Sequence, residues 1–224
     1  MIILKIIFVL LTPILVVAYG QAGYPYLMAL VQHPGILLWF GCGAIIYLVI
    51  HIILHSYLKF WFVFEHELTH SLFAVLTFSK VQHFTASETK GGEVQYSGSI
   101  GRFIVTLAPY FCPTFALMLL PLNLMLKEPY LPYHQAVIGG LLMYHLLTTL
   151  EELKTQQSDL HTYGLVFSLA FILVMNLIMI GVVLFASLIN WSAAGDFLWL
   201  GLKNSYLLFF VVYAYIKERI YSLM

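Results

Sequence analysis

Apolar residues run almost without interruption through this chain, and a few charged and turn-forming residues cut them into blocks of the length a bilayer demands. A hydrocarbon core about 30 Å thick takes roughly 20 apolar residues as a helix. Seven blocks meet or approach that length, over residues 2–19, 35–54, 58–79, 103–126, 133–153, 162–189 and 197–216. The pattern predicts an all-α polytopic membrane protein with six or seven transmembrane helices. The first block has an alternative reading, because Lys5 precedes its apolar run and Ala18-Tyr19-Gly20-Gln21-Ala22 has a faint cleavage-site pattern, so it is either a retained span or a removable signal segment. Gly139, Gly140 and His145 interrupt the fifth block, which ends in Glu151-Glu152. Such a helix reads as partial or tilted, lining a polar cavity.

One stretch departs from this pattern. Val81-Gln82-His83-Phe84-Thr85-Ala86 and Glu93-Val94-Gln95-Tyr96-Ser97 roughly alternate, and Lys90-Gly91-Gly92 between them supplies turn residues. This predicts a β-hairpin at the membrane surface over residues 81–98. Two spans separate the hairpin from the loop at 151–161, so both lie on one side of the membrane whichever way the chain inserts. With no repeat, low-complexity block or long linker, residues 1–224 are expected to form one integral-membrane domain.

Composition agrees with the pattern. The chain is 62% hydrophobic and 16% aromatic, with 9% charged residues and a mean hydropathy of +0.93. Soluble domains carry about 25% charged residues, so most of this surface faces something other than water, and a lipid bilayer is the expected partner. Ten basic and ten acidic residues leave no net field to attract nucleic acid. Cys42 and Cys112 lack the spacing of a thiolate metal site or a disulfide framework. Lys80, Lys90, Arg102, Lys154, Lys217 and Arg219 are expected on the hairpin's side, against Lys5, Lys59 and Lys127 opposite, which favours a cytoplasmic hairpin. Nothing in the sequence speaks to oligomeric state.

The polar exceptions carry the chemistry. The third block reads Glu65-His66-Glu67-Leu68-Thr69-His70, an HExxH motif inside an apolar span. On a helix, positions i and i+4 project from one face, so His66 and His70 can give imidazole nitrogens to one metal ion, for which zinc is the natural choice, one per chain. Glu67 beside it can act as general base toward water. Ionisable residues at the middle of a span are costly, and a functional site is the default reading of them. A catalytic zinc needs a third protein ligand. Asp159, just before the sixth block, is the first candidate in the region 151–164; Glu151, Glu152 and His145 are the others, and Asp159 could instead cap the helix beginning near Leu160. His51 and His55 share the i, i+4 spacing, but no neighbouring carboxylate accompanies them in the sequence, so they read as polar residues near a membrane end.

Together, HExxH in the predicted span at 58–79, a short hairpin with Gly91-Gly92, the Pro-containing stretch Leu107-Ala108-Pro109-Tyr110-Phe111-Cys112-Pro113 and an aspartate near the start of a later span resemble the site-2 protease family of intramembrane zinc metalloproteases, over roughly residues 60–176. The chain would be a small member without a PDZ domain. In that family a distant aspartate, often within an Asp-Gly pair, completes the zinc site. The resemblance favours Asp159, although Leu160 follows it here. It implies a zinc endopeptidase that cuts the transmembrane segment of a membrane-protein substrate, with its active site toward the cytoplasm. An unwound substrate would need replacement hydrogen bonds, which the strand with Glu93, Val94, Gln95 and Tyr96 could supply by strand addition. Alternatives are a di-iron oxygenase of the desaturase type, suggested by two pairs of histidines, and a metal-binding transporter or scaffold without catalysis.

Overall fold

The computed structural model describes residues 2–89, 91–98, 101–154 and 157–223. Four long helices dominate: α1 (Ile2–Gln32), α2 (Pro34–Leu76), α7 (Leu165–Leu188) and α8 (Trp191–Leu223). Between α2 and α7 lie β1 (Lys80–Ser87), β2 (Gly91–Ser97), α3 (Arg102–Leu107), α4 (Thr114–Leu119), α5 (Leu131–Lys154) and α6 (Ser158–Thr162). The four long helices are each apolar enough to cross a membrane, and α3 and α4 with their short flanking turns make a fifth span if the bent pair is one crossing. The protein is an integral membrane protein, mostly helical, with a small antiparallel sheet. The expected six or seven spans exceed what the fold contains.

Most of the excess comes from α2. The blocks at 35–54 and 58–79 are one helix of 43 residues. Pro34 stands in its first turn, where a missing N–H costs nothing. Residues 44–76 then contain neither Gly nor Pro, so the polar residues His51, His55 and Lys59 mark no break. At 1.5 Å per residue the helix is about 64 Å long, roughly twice the hydrocarbon thickness. It stops where Phe78 takes a left-handed conformation, φ 58°, with the Ser79 N–H donating to the Ala74 carbonyl (2.8 Å). The fifth block forms α5, whose polar content keeps it out of the set of apolar spans.

Helices α2 and α5 are in very close contact. A Cβ at Gly43 would strike the Ala136 carbonyl, and one at Gly139 would strike the Phe40 carbonyl, so glycine is what lets the two backbones meet. Further along, the Tyr144 hydroxyl donates to the Trp61 carbonyl (3.0 Å). This packing lays the polar stripe of α2 against the C-terminal end of α5.

On the other side of the molecule α1 runs past the expected end at residue 19 because Tyr19, Ala22, Gly23 and Leu30 are buried, with Gly23 against Phe185 and Phe197. The Tyr19 and Phe197 rings meet edge to face at 5.5 Å. At the start of α1, Lys5 Nζ donates to the Tyr163 carbonyl (2.6 Å), which puts Lys5 next to α6 and not on the opposite side, as expected from the seven-span count. Lys59, expected near the start of a span on the side opposite the hairpin, lies well inside the continuous helix α2.

The Pro-containing block at 103–126 is broken as its prolines predict. A short 3-10 turn (Ala108–Tyr110) follows α3, the chain breaks before Thr114, and the two halves are bent by 91°. Buried Leu107, Tyr110 and Phe111 pack with Leu160, Phe171 and Ile172, so the break is anchored to α6 and α7.

The strands β1 and β2 pair antiparallel, with Val81 opposite Tyr96, Phe84 opposite Val94, and an irregularity between Val81 and His83. Gly91 and Gly92 begin β2, and the turn is at Glu88-Thr89; Lys90, expected in that turn, lies outside the described residues. Gly91 does take a positive φ of 75°.

Candidate metal centre

Three donor atoms from two distant parts of the chain converge. His66 and His70 sit one turn apart on α2, their rings edge to face at 4.8 Å. Asp159, in the first turn of α6, reaches them from the other side, with Oδ2 3.4 Å from His70 Nε2 and 3.9 Å from His66 Nε2. Ligand atoms about 2.0–2.2 Å from a zinc ion stand roughly 3.3–3.6 Å apart in a tetrahedron, so the spacing suits one ion. Asp159 is not a helix cap: α6 begins at Ser158 after Gln157.

The remote ring nitrogens decide what the near ones can do. His70 Nδ1 lies 2.8 Å from the Val105 carbonyl, which can only accept, so Nδ1 carries the proton. His66 Nδ1 lies 3.0 Å from Glu152 Oε1 and donates to that carboxylate. A neutral imidazole holds one proton, so both Nε2 atoms present lone pairs toward an anionic Asp159. Only a cation between them, an added proton or a metal ion, makes this arrangement favourable. Outward Nδ1–H bonds to a carbonyl and a carboxylate are the usual support of metal-ligating histidines. In the absence of metal the cation is the added proton: partial burial opposes ionisation of Asp159, yet His66 and His70, protonated and donating to it, outweigh burial and hold the carboxyl well below the usual carboxylate range.

Each element has a local reason for its place. The Thr69 hydroxyl contacts the Thr114 hydroxyl at 2.5 Å, tying α2 to α4 beyond the break. Tyr110, fully buried at the break, sets its ring edge to face with His66 at 5.4 Å. The Ser168 hydroxyl donates to the Leu160 carbonyl (2.9 Å), fastening α6 to α7.

Glu67, buried on α2, lies beneath the hairpin. A Cβ at Gly92 would run into its Cγ, so the start of β2 passes directly over this carboxylate. A cavity of about 270 Å³ adjoins the centre, lined by His66, His70 and Asp159 below and by Glu93, Val94 and Tyr96 above. Gln95 is not among its lining residues; its side-chain amide donates to Glu93 Oε1 (2.7 Å). The hairpin and the loop before α7, expected on one side of the membrane, do share this cavity.

Of the other third-ligand candidates, Glu152 is on the Nδ1 side of His66. Glu151 lies with His51 and His55, 2.9 and 3.1 Å from their Nε2 atoms. These two histidines are therefore accompanied by a carboxylate after all, brought from α5. His145 is buried and bonds Asn176 (3.0 Å). Sequence reasoning missed the Val105 carbonyl, for which no residue-type signal exists, and the closeness of Gly92 to Glu67.

A family profile described as Peptidase M50B-like matches residues 38–217. No curated protein and no solved structure matches the chain. The match takes in α2 with its HExxH, the hairpin, the broken helix and α6 with Asp159, well over half of the 224 residues. On that coverage the chain belongs to the Peptidase M50B-like family.

Proposed function

We propose that this protein is an intramembrane zinc metalloendopeptidase that hydrolyses a peptide bond in the transmembrane segment of another membrane protein. The observation that carries the reading is the convergence of both Nε2 atoms on Asp159 while the Nδ1 atoms are engaged by Glu152 and the Val105 carbonyl. His66, His70 and Asp159 would hold the ion, one imidazole–imidazole–carboxylate set with room for a water or substrate oxygen. Zinc bound there supplies a Lewis acid that polarises a carbonyl and acidifies water.

The chain's own residues do the rest. Glu67 takes the proton of the attacking water and passes it to the leaving amine, general acid–base work for which its place beside both histidines suits it. The edge of β2 not paired with β1 offers backbone hydrogen bonds to a substrate that has lost its helix, with Glu93, Val94 and Tyr96 lining the cavity; Gln95 supports Glu93. The bend between Pro109 and Pro113 would free backbone polar groups and make room for water where a continuous helix would exclude it. With Lys5 beside Tyr163, the basic residues gather further on the side of the site, which supports a cytoplasmic orientation.

A di-iron oxygenase would need its metals about 4 Å apart, whereas His55 and His66 are eleven residues apart on one helix, about 16 Å along its axis. The test is cleavage in lipid vesicles by the purified chain on a single-span substrate. Chelation should abolish cleavage, zinc should restore it, and mass spectrometry should place the cut within the apolar segment. Chelator-resistant cleavage, or cuts confined to extramembrane segments, would overturn the proposal.

A further inference from the structure

We infer that His51, His55 and Glu151 form a second site for a divalent transition-metal ion, zinc being the expected one, which clamps α2 to α5. The inference stands on these residues alone and does not depend on the protease reading. Both carboxylate oxygens of Glu151 turn toward imidazole nitrogens, Oε1 at 2.9 Å from His51 Nε2 and Oε2 at 3.1 Å from His55 Nε2. One donor atom from each residue falls within 4.8 Å of the other two, the same clustering as at His66, His70 and Asp159. Two imidazoles with a carboxylate are a donor set that first-row divalent ions accept and that calcium or magnesium does not favour.

The surroundings fit an ion as well. His51 is 7% exposed, and its Nδ1 is buried without a hydrogen-bond partner, so this ring has been placed in a packed interface for the sake of its other nitrogen. Glu151 and His55 are about 40% exposed at the side chain, which gives the carboxylate freedom to withdraw slightly and admit the ion. They open onto a cavity of about 470 Å³ that also reaches Glu88, Glu152, His66 and Glu67. Its three glutamates outside the HExxH motif, against Lys59 alone among the described lining cations, favour the approach of a cation. His55 and His66 are about 16 Å apart along the axis of α2, too far for the two clusters to share one ion, so each is a mononuclear site.

A consequence for the first centre follows from adjacency. Glu151 and Glu152 are consecutive on α5, one facing His51 and His55, the other bonded to His66 Nδ1. An ion that fixes Glu151 also fixes the backbone that delivers Glu152 to the first centre.

The competing account is that Glu151 only accepts hydrogen bonds from two protonated Nε2 atoms. Metal-stripped wild type titrated in detergent with zinc, and separately with cobalt(II) followed by its visible absorption, decides between them. Two equivalents per chain are expected for wild type, falling to one in Glu151→Gln and in the more exposed variant His55→Ala, and to one, at the other site, in His66→Ala. Saturation of wild type at one equivalent, retained in Glu151→Gln, would overturn the inference. The wild-type titration needs no variant to fold. A single equivalent lost in Glu151→Gln but kept in His66→Ala would sustain this site while removing the HExxH centre.

Discussion

Helix α2 carries the spacing His-x-x-x-His twice, and each copy meets a carboxylate from elsewhere, yet the two clusters differ in where their protons can be. At His66 and His70 the Nδ1 atoms are committed to Glu152 and the Val105 carbonyl, so the Nε2 atoms face Asp159 at 3.9 and 3.4 Å without a proton to share. At His51 and His55 the Nε2 atoms sit at 2.9 and 3.1 Å from Glu151, distances that hydrogen bonds alone can satisfy. The first cluster has Glu67 beside its histidines on α2, with the start of β2 passing directly over that carboxylate. Spacing thus tells which side chains can share an ion, while the partner of the remote nitrogen tells which of them call for a cation, a proton or a metal. On the proposed reading, the first cluster serves chemistry and the second attachment.

That contrast can be broken in steps. The largest effect is expected from Asp159→Ala, which removes the carboxylate of the first centre. Its zinc and all cleavage should be lost while the second cluster keeps its ion, as metal analysis beside an activity assay would record. Glu152→Gln replaces an outer partner of His66 and should weaken zinc affinity or activity about 10–100-fold, measured by competition with a chelator. Gly92→Ala pushes against Glu67 and leaves the histidines alone, so cleavage should fall on the order of tenfold at unchanged zinc content. The smallest effect on the chemistry should come from Gly139→Val, far from both clusters along α5. It should cost about 1–3 kcal/mol of stability through the Phe40 carbonyl, read as a lower unfolding midpoint in detergent.

Much of the first cluster was legible in the sequence, and the reasons are local. HExxH specifies two rings on one face by helix geometry alone, and Asp159 stands out because carboxylates are scarce in an apolar chain. The second cluster was hidden by a span boundary. The blocks divide between residues 54 and 58, next to polar His55 and Lys59, although no Gly or Pro in residues 44–76 supplies a break. On one continuous helix, His51, His55, His66 and His70 fall within an arc of about 100°, a stripe that calls for a polar partner helix. Which of Glu151 and Glu152 goes to which cluster depends on the rotation of α5, which Gly43 and Gly139 fix through backbone contact. Polar residues on α5 and the bend after Tyr110 likewise reduced seven apolar blocks to four or five spans.

The central claim, that the HExxH centre is a hydrolytic zinc site with Glu67 as its base, is tested most directly by Glu67→Gln measured for zinc content and for cleavage of a transmembrane substrate in the same preparation. The account predicts wild-type zinc content with cleavage slowed by about 10²–10⁴-fold, because a general base is lost while every ligand remains. Cleavage at the wild-type rate by a zinc-loaded Glu67→Gln protein would contradict it.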